Sequence, residues 1–349
     1  MPGLFESRRR IGDTQLQLPA FGMGTAHLGE LYSTVEESVA HTTLEAAWQA
    51  GVRYYDTAPW YGRGLAEHRA GGFLRTKTRS EFKLTTKVGR TLHRPQDPVT
   101  FDRSPWAGGL KFEVNYDYSY EGIMRSYEQS LQRLGLDTVD ALVIHDLDSL
   151  FHDEAAMAEH TKSLLETGMK ALSELKSAGD IAAIGMGVNL NEQLAGLAQQ
   201  VDLDFVLIAM PYTLLDQESL HTGMKACLER NTSVIVGAPF ASGILATGSA
   251  GAAQYAYGAA SKEVINKVQR IEAVCEAHSV SLQAAALQFP MAHPAAVSII
   301  PGAAKPEEII ANSASLDAPI PAQFWSDLKA QQLLDAAAPV PAAPSESTL

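Results

Sequence analysis

The sequence predicts a single (β/α)8 barrel, and three observations carry that expectation. Short β-rich runs alternate with longer helical stretches along the whole chain, the runs number eight, and no linker breaks the series. The competing arrangement is an open doubly wound sheet, which for a dinucleotide would carry a G-x-G-x-x-G turn after a strand. Gly22-Met-Gly24 has His27 where the third glycine is needed, and Gly185-Met-Gly187 has Leu190. The barrel is the better fit.

The eight strands are read at residues 18–23, 53–56, 82–88, 141–145, 181–187, 205–209, 233–238 and 297–300. Several are almost continuously apolar, as parallel strands buried on both faces are. Between them, residues 34–49 read as a helix opened by Thr34-Val-Glu-Glu and stopped by Gly51. Residues 119–134 gather Ile123, Ser130, Leu131 and Leu134 on one side and stop before Gly135. Residues 161–177 stop before Gly179, and 261–278 are amphipathic in the same way. Residues 89–118 depart from the alternation and read as a long loop, which in a compact domain is functional or disordered. Residues 1–335 form the single domain, and the Ala-, Pro- and Ser-rich stretch 336–349 reads as a flexible tail.

Composition narrows the function classes. An apolar content of 46% with 19% charged residues is that of a soluble globular protein. A net charge of −13 gives no general affinity for phosphate backbones, so no nucleic-acid partner is expected. Cys227 and Cys275 show neither zinc spacing nor a disulfide framework, so no metal site is expected and a reducing compartment is. The basic N-terminus lacks the apolar run of a signal peptide, and nothing approaches the ~20 apolar residues of a membrane span. A cytoplasmic protein without a membrane partner is the expectation; the number of subunits is open.

The chemistry of a (β/α)8 barrel lies where strands end and βα loops begin. Strand two ends in Tyr55-Asp56-Thr57-Ala-Pro-Trp60-Tyr61-Gly62, strand three in Thr86-Lys87-Val-Gly89, and strand four in Ile144-His145-Asp146. Asp56, Tyr61, Lys87 and His145 therefore converge on one rim. Singly, each has a structural explanation: a packed aromatic, a helix cap, a solvated lysine, a satisfied histidine. Jointly they point to proton transfer. A buried lysine needs a partner, which Asp56 supplies, and an ammonium against a phenol favours the phenolate. Such a tyrosine can exchange a proton near neutral pH.

Asp56-Thr-Ala-x-x-Tyr61-Gly, the lysine of Thr86-Lys87-Val-Gly and the histidine of Val-Ile-His145-Asp resemble the aldo-keto reductase superfamily in order and spacing, from about residue 9 to residue 315. The resemblance implies a nicotinamide-dependent oxidoreductase in which Tyr61 is the acid/base, Lys87 and Asp56 tune it, and His145 orients the reacting oxygen. Trp48-Gln-Ala-Gly51-Val-Arg-Tyr-Tyr-Asp56, Tyr116-Asp-Tyr-Ser-Tyr-Glu-Gly-Ile-Met-Arg-Ser126, Ser130-Leu-Gln-Arg-Leu-Gly135, Ile184-Gly-Met-Gly-Val-Asn189 and Tyr212-Thr-Leu-Leu-Asp-Gln217 are similar to one branch of it. That branch contains the D-threo-aldose 1-dehydrogenases, also called L-fucose dehydrogenases, and the pyridoxal 4-dehydrogenases. It implies oxidation of an aldose anomeric hydroxyl to a lactone, with reduction of an oxo-sugar or aldehyde and a redox-sensing regulatory barrel as the alternatives.

The resemblance also implies the cofactor residues: Gly24, Thr25 and Asp56; Asn189 against the nicotinamide carboxamide; Phe240, Ser242, Gly243 and Leu245; and Gly302, Ala304, Glu308 and Asn312 at the adenosine end. Three positions depart from the family pattern: Val188 replaces a serine, Met210 stands near an expected glutamine, and Gly237 replaces a stacking tyrosine. NADP-preferring relatives place Lys where Gly302 stands and Arg where Glu308 stands. Loss of both cations weakens charge-assisted recognition of a 2′-phosphate, so NAD is favoured over NADP, although Lys305 could still reach a phosphate. For a small-molecule substrate, His27, Trp60, Trp106 and Phe112 are candidate walls, with packing of the long loop as the alternative, and Arg63 and Arg103 are possible contacts for an acidic group.

Overall fold

Eight parallel strands organise the chain: β1 Met23–Gly24, β2 Tyr54–Asp56, β3 Lys83–Val88, β4 Ala141–Ile144, β5 Ala183–Val188, β6 Phe205–Ala209, β7 Ser233–Gly237 and β8 Ala296–Ile300. Each pairs in parallel with the next in sequence. Parallel bridges Phe21–Ile299 and Gly24–Gly302 join β8 back to β1 and close the sheet into a barrel. The computed structural model describes residues 3–251, 254–256 and 258–342.

Helices surround the barrel: α1 Glu37–Gln49, α2 Leu65–Leu74, α3 Tyr120–Leu134, α4 Glu154–Ser163, α5 Met169–Ala178, α6 Asn191–Ala195, α7 Gly223–Glu229, α8 Ile244–Thr247, α9 Lys262–His278, α10 Leu282–Met291, α11 Pro306–Leu316 and α12 Ala322–Ala330. Serines 119, 261 and 281 cap α3, α9 and α10, their hydroxyls accepting the N–H of Gly122, Val264 and Ala284. Among the described residues no helix is long and apolar enough to cross a membrane.

The two-residue period of a strand sorts side chains into two cores. Tyr54, Ala141, Val143, Ala183, Phe205, Leu207, Ile235, Val297 and Ile300 fill the barrel, while Tyr55, Leu84, Leu142 and Ile144 face the helices. Ile11, Leu16 and Leu18 join the inner set from a hairpin, Arg8–Arg10 with Gln17–Pro19. That hairpin plugs the N-terminal end: Gly12 N donates to Ser233 Oγ, at the first residue of β7, at 2.8 Å. With that end sealed by apolar side chains, the same alternation leaves Asp56, Lys87 and His145 at the other.

Several boundaries differ from the sequence reading. Residues 18–23 are not one strand: 17–19 belong to the plugging hairpin, and contact with β8 begins at Phe21. Helix α1 starts at Glu37 rather than Thr34, because Glu30 takes the Val35 N–H at 3.3 Å and holds that segment outside the helix. The helix read at 161–177 starts at Glu154, capped by Asp153, and runs through a π-turn at Leu164–Gly168 that blurs the apolar period. The loop at 89–118 contains an antiparallel hairpin, Arg90–His93 with Glu113–Tyr116. Gly89 makes the turn into it at φ 97°, where a Cβ would lie 2.3 Å from Tyr118 Cε1. At the other end of the chain Ala338 is buried, and Lys329 Nζ donates to the carbonyls of Ala336 and Ala338. The stretch read as a tail is thus laid on the barrel at its start; residues 343–349 lie outside those described.

Candidate active site

At the open end of the barrel Lys87 Nζ donates to Asp56 Oδ2 at 2.5 Å and to the Thr57 carbonyl at 2.9 Å. Both side chains of the pair are only 2% exposed. Thr85, facing inward two residues before Lys87, donates to Asp56 Oδ1 at 2.7 Å. Burial pushes the Asp56 carboxyl above its usual range, while Lys87 and the Thr85 hydroxyl pull it back. Lys87 Nζ also lies 4.4 Å from the centre of the Tyr61 ring. His145 stands edge-on to that ring with centroids 5.9 Å apart. The four residues singled out from three strand ends are therefore neighbours.

Their electrostatics differ from the sequence expectation in one respect. Tyr61 is pushed well above the ordinary phenol range, by burial first and then by Asp56 and Asp146; Arg90 opposes the shift. Lys87 does not make the phenol acidic, because its charge is matched at contact by Asp56, whose own charge acts on the phenol. Tyr61 therefore stands protonated. His145 is driven well below its usual range by burial, Arg90 and Lys87, and is neutral. A neutral imidazole and a protonated phenol are both hydrogen-bond donors, suited to holding one oxygen between them.

Two residues the sequence reading left without a role join this group. Arg90, fully buried, donates to Asp146 Oδ2 at 2.5 Å, and its guanidinium lies over the rings of Trp60, Tyr116 and Phe151 at 4.8, 4.9 and 4.8 Å. Arg90 sat inside the presumed loop, where nothing marked it as buried. Asp146 was visible only as the neighbour of His145.

Trp60 and Trp106 pack beside Tyr61: their rings meet edge-on at 5.4 Å, and Trp106 lies 6.0 Å from the Tyr61 ring. Phe112 is 37% exposed and enters the site's framework through its carbonyl, which accepts Arg63 Nη1 at 3.0 Å. Arg63 also donates to the Ser104 carbonyl, and Arg103 to that of Gly109, so both arginines brace the long loop. His27 is displaced from the substrate side. It packs on Gly302, where a Cβ would lie 2.3 Å from its Nδ1, and Glu308 acts on its charge. The β1 segment that carries it runs beside β8, through the Gly24–Gly302 bridge, and so delivers it to the candidate adenosine end.

The candidate cofactor residues form a band along the rim. Thr25 donates from N and Oγ1 to the Asp56 carbonyl, both at 3.0 Å. Asn189 Nδ2 donates to Asp146 Oδ1 and Asp148 Oδ2, so its Oδ1 is the end left to meet a carboxamide N–H. Ser242 reaches Met210 Sδ at 3.9 Å and the Tyr32 hydroxyl, beside Phe240, Gly243 and the buried Leu245. Gly302 and Ala304 lead into α11, on which Asn312 is buried. Glu308 Oε2 accepts the Ala304 N–H at 2.7 Å, an anion already seated on the start of that helix. A fixed amide at Asn189 and the helix start after Gly302 fit a nicotinamide dinucleotide.

Comparison with known proteins identifies the family and the fold. The sequence profile of the Aldo/keto reductase family matches residues 20–332. The chain is 37% identical to a pyridoxal 4-dehydrogenase of Microbacterium luteolum over 335 residues, covering 94% of this chain and 98% of that protein. It is 36% identical to a D-threo-aldose 1-dehydrogenase of a Pseudomonas species over 326 residues, covering 91% and 95%. In fold it is similar to an aldo-keto reductase of Bacillus halodurans in its holo form, with a TM-score of 0.72 at 21% identity, covering 98% and 99% of the two chains. A glycerol dehydrogenase of Gluconobacter oxydans gives 0.69 at 19% identity, covering 97% and 98%.

Proposed function

The chain belongs to the aldo/keto reductase family and is an oxidoreductase, and from that premise we propose that it oxidises the anomeric hydroxyl of an aldose to a lactone with NAD. The observation that carries this reading is the cluster of Tyr61, Lys87, Asp56 and His145 at the open end of the barrel. The nicotinamide, when bound, supplies the acceptor for the hydride that leaves C1 of the sugar. The protein's share is the proton. His145, neutral, donates to the sugar oxygen and fixes it; Tyr61 takes the hydroxyl proton as the carbonyl of the lactone forms. Trp60 and Trp106 offer apolar faces to the ring.

Tyr61 must release its own proton before it can accept another, and burial, Asp56 and Asp146 oppose that release. Oxidation is therefore favoured at alkaline pH. The same protonated phenol favours a second reading, reduction of an oxo-sugar, aldehyde or pyridoxal-like carbonyl, in which Tyr61 gives its proton to the carbonyl oxygen. NAD is preferred because the Glu308 carboxylate repels a 2′-phosphate and can accept from a free 2′-hydroxyl, and because His27 fills the space a side chain at residue 302 would need.

The test is turnover of a panel of aldoses, pyridoxal and simple aldehydes with each of the four nicotinamide forms, followed at the nicotinamide absorbance. Oxidation of an aldose with NAD is the expected result. Turnover confined to NADPH and carbonyl substrates would overturn the substrate and cofactor assignments.

A further inference from the structure

The Asp146 carboxylate touches three groups at once. Its Oδ2 accepts from Arg90 Nη2 at 2.5 Å and lies 3.2 Å from His145 Nε2; its Oδ1 accepts from Asn189 Nδ2 at 3.0 Å. Asp146 holds φ at 46°, a left-handed backbone that a residue with a side chain adopts only where its surroundings over-determine it. We propose that Asp146 is a positioning residue that ties the oxygen-orienting His145 to the carboxamide-facing Asn189, with Arg90 as its buried counter-ion. This rests on the reading of His145 and Asn189 given above.

Each contact has a chemical consequence. A carboxylate oxygen 3.2 Å from Nε2 repels a bare nitrogen lone pair and favours the tautomer with the proton on Nε2. No other group enforces that choice among the described residues, since His145 Nδ1 is buried without a partner. Asn189 has two Nδ2 protons, and the carboxylates of Asp146 and Asp148 take both. Its amide cannot flip without setting its oxygen against two anions, so Oδ1 is presented outward as an acceptor. Arg90 holds the carboxylate in place: it is itself caged by Trp60, Tyr116 and Phe151, and among the described residues its Nε and Nη1 have no hydrogen-bond partner. One side chain thus sets the donor that meets the substrate oxygen and the acceptor that meets the cofactor.

The experiment is Asp146→Asn, examined without turnover. In the wild type, 15N NMR of the imidazole should show His145 protonated on Nε2, and NADH should quench tryptophan fluorescence on binding. In the variant an amide faces Nε2 and Asn189, so the Nε2–H tautomer should lose its dominance and NADH should bind roughly tenfold more weakly. Unchanged imidazole shifts together with unchanged NADH affinity would overturn the proposal. If Asp146→Asn does not fold because Arg90 is left uncompensated, Arg90→Met with Asp146→Asn removes both charges and must show the same two losses. A double variant with wild-type affinity and tautomer would equally overturn it. Tyr61→Phe separates this from the proton-transfer reading: it should bind NADH normally and keep the His145 tautomer, whatever its turnover.

Discussion

Replacing Lys87 by Met tests the electrostatics at the centre of the site. The 2.5 Å contact between Lys87 Nζ and Asp56 Oδ2 lies in a place where both partners are 2% exposed. At an effective dielectric of about 20 that separation is worth roughly 6–7 kcal/mol of gross attraction, most of it offset by desolvation of the two ions. Removing the ammonium alone leaves Asp56 buried with only the Thr85 hydroxyl, and should destabilise the fold by about 3–5 kcal/mol at pH 7. The sign with pH follows. Without Lys87 the Asp56 carboxyl rises further above its unfolded value, so the folded state binds the extra proton, and the deficit shrinks as pH falls below 7. The double variant Lys87→Met with Asp56→Asn should recover most of the loss, because no charge is stranded. Urea unfolding of both variants and wild type, at pH 5 and 7, measures this. A single variant losing under ~1 kcal/mol, or a double variant less stable than the single, would refute the reasoning.

Three further outcomes are expected. The rate of oxidation should climb with pH by up to about tenfold per unit through the neutral and mildly alkaline range, because Tyr61 is held protonated; a flat profile of kcat/KM between pH 6 and 9 would count against it as the base. His293 is buried and its pKa is lowered to about 4 by burial, so the unfolded chain takes up a proton below its ordinary pKa of about 6.5 that the folded one refuses. Stability should therefore fall between pH 6.5 and 4, by roughly 2–3 kcal/mol, and His293→Asn should flatten that slope in pH-dependent unfolding. Glu308→Ala should tighten NADP binding by roughly tenfold and weaken NAD binding several-fold through the lost 2′-hydroxyl contact, and Gly302→Lys should tighten NADP binding only when His27→Ala makes room, both read by fluorescence titration.

The barrel was legible because its strands are short apolar runs at regular intervals, and residues 205–209 form β6 over the very span read from the sequence. The candidate tetrad was legible because strand ends are fixed by alternation, so Asp56, Lys87 and His145 needed no tertiary information to be placed together. What failed depended on contacts distant in sequence. His27 was read as a substrate wall because its loop follows a strand end at the rim, yet the β1–β8 closure sets it against Gly302. The Tyr61 shift went the opposite way because burial of the phenol, which spacing does not reveal, dominates it, and because the Asp56 paired with Lys87 acts on the phenol as well. Arg90 and Asp146 were missed for a related reason: a buried arginine in a hairpin of mixed polar sequence has no periodic signature, and only its partner's position reveals it.

The central assignment is Tyr61 as the residue that moves the proton, and Tyr61→Phe tests it most directly. With a substrate in hand, kcat should fall by roughly 10²- to 10⁴-fold while NADH affinity stays at the wild-type value. A variant that keeps more than a few per cent of wild-type turnover would contradict the assignment.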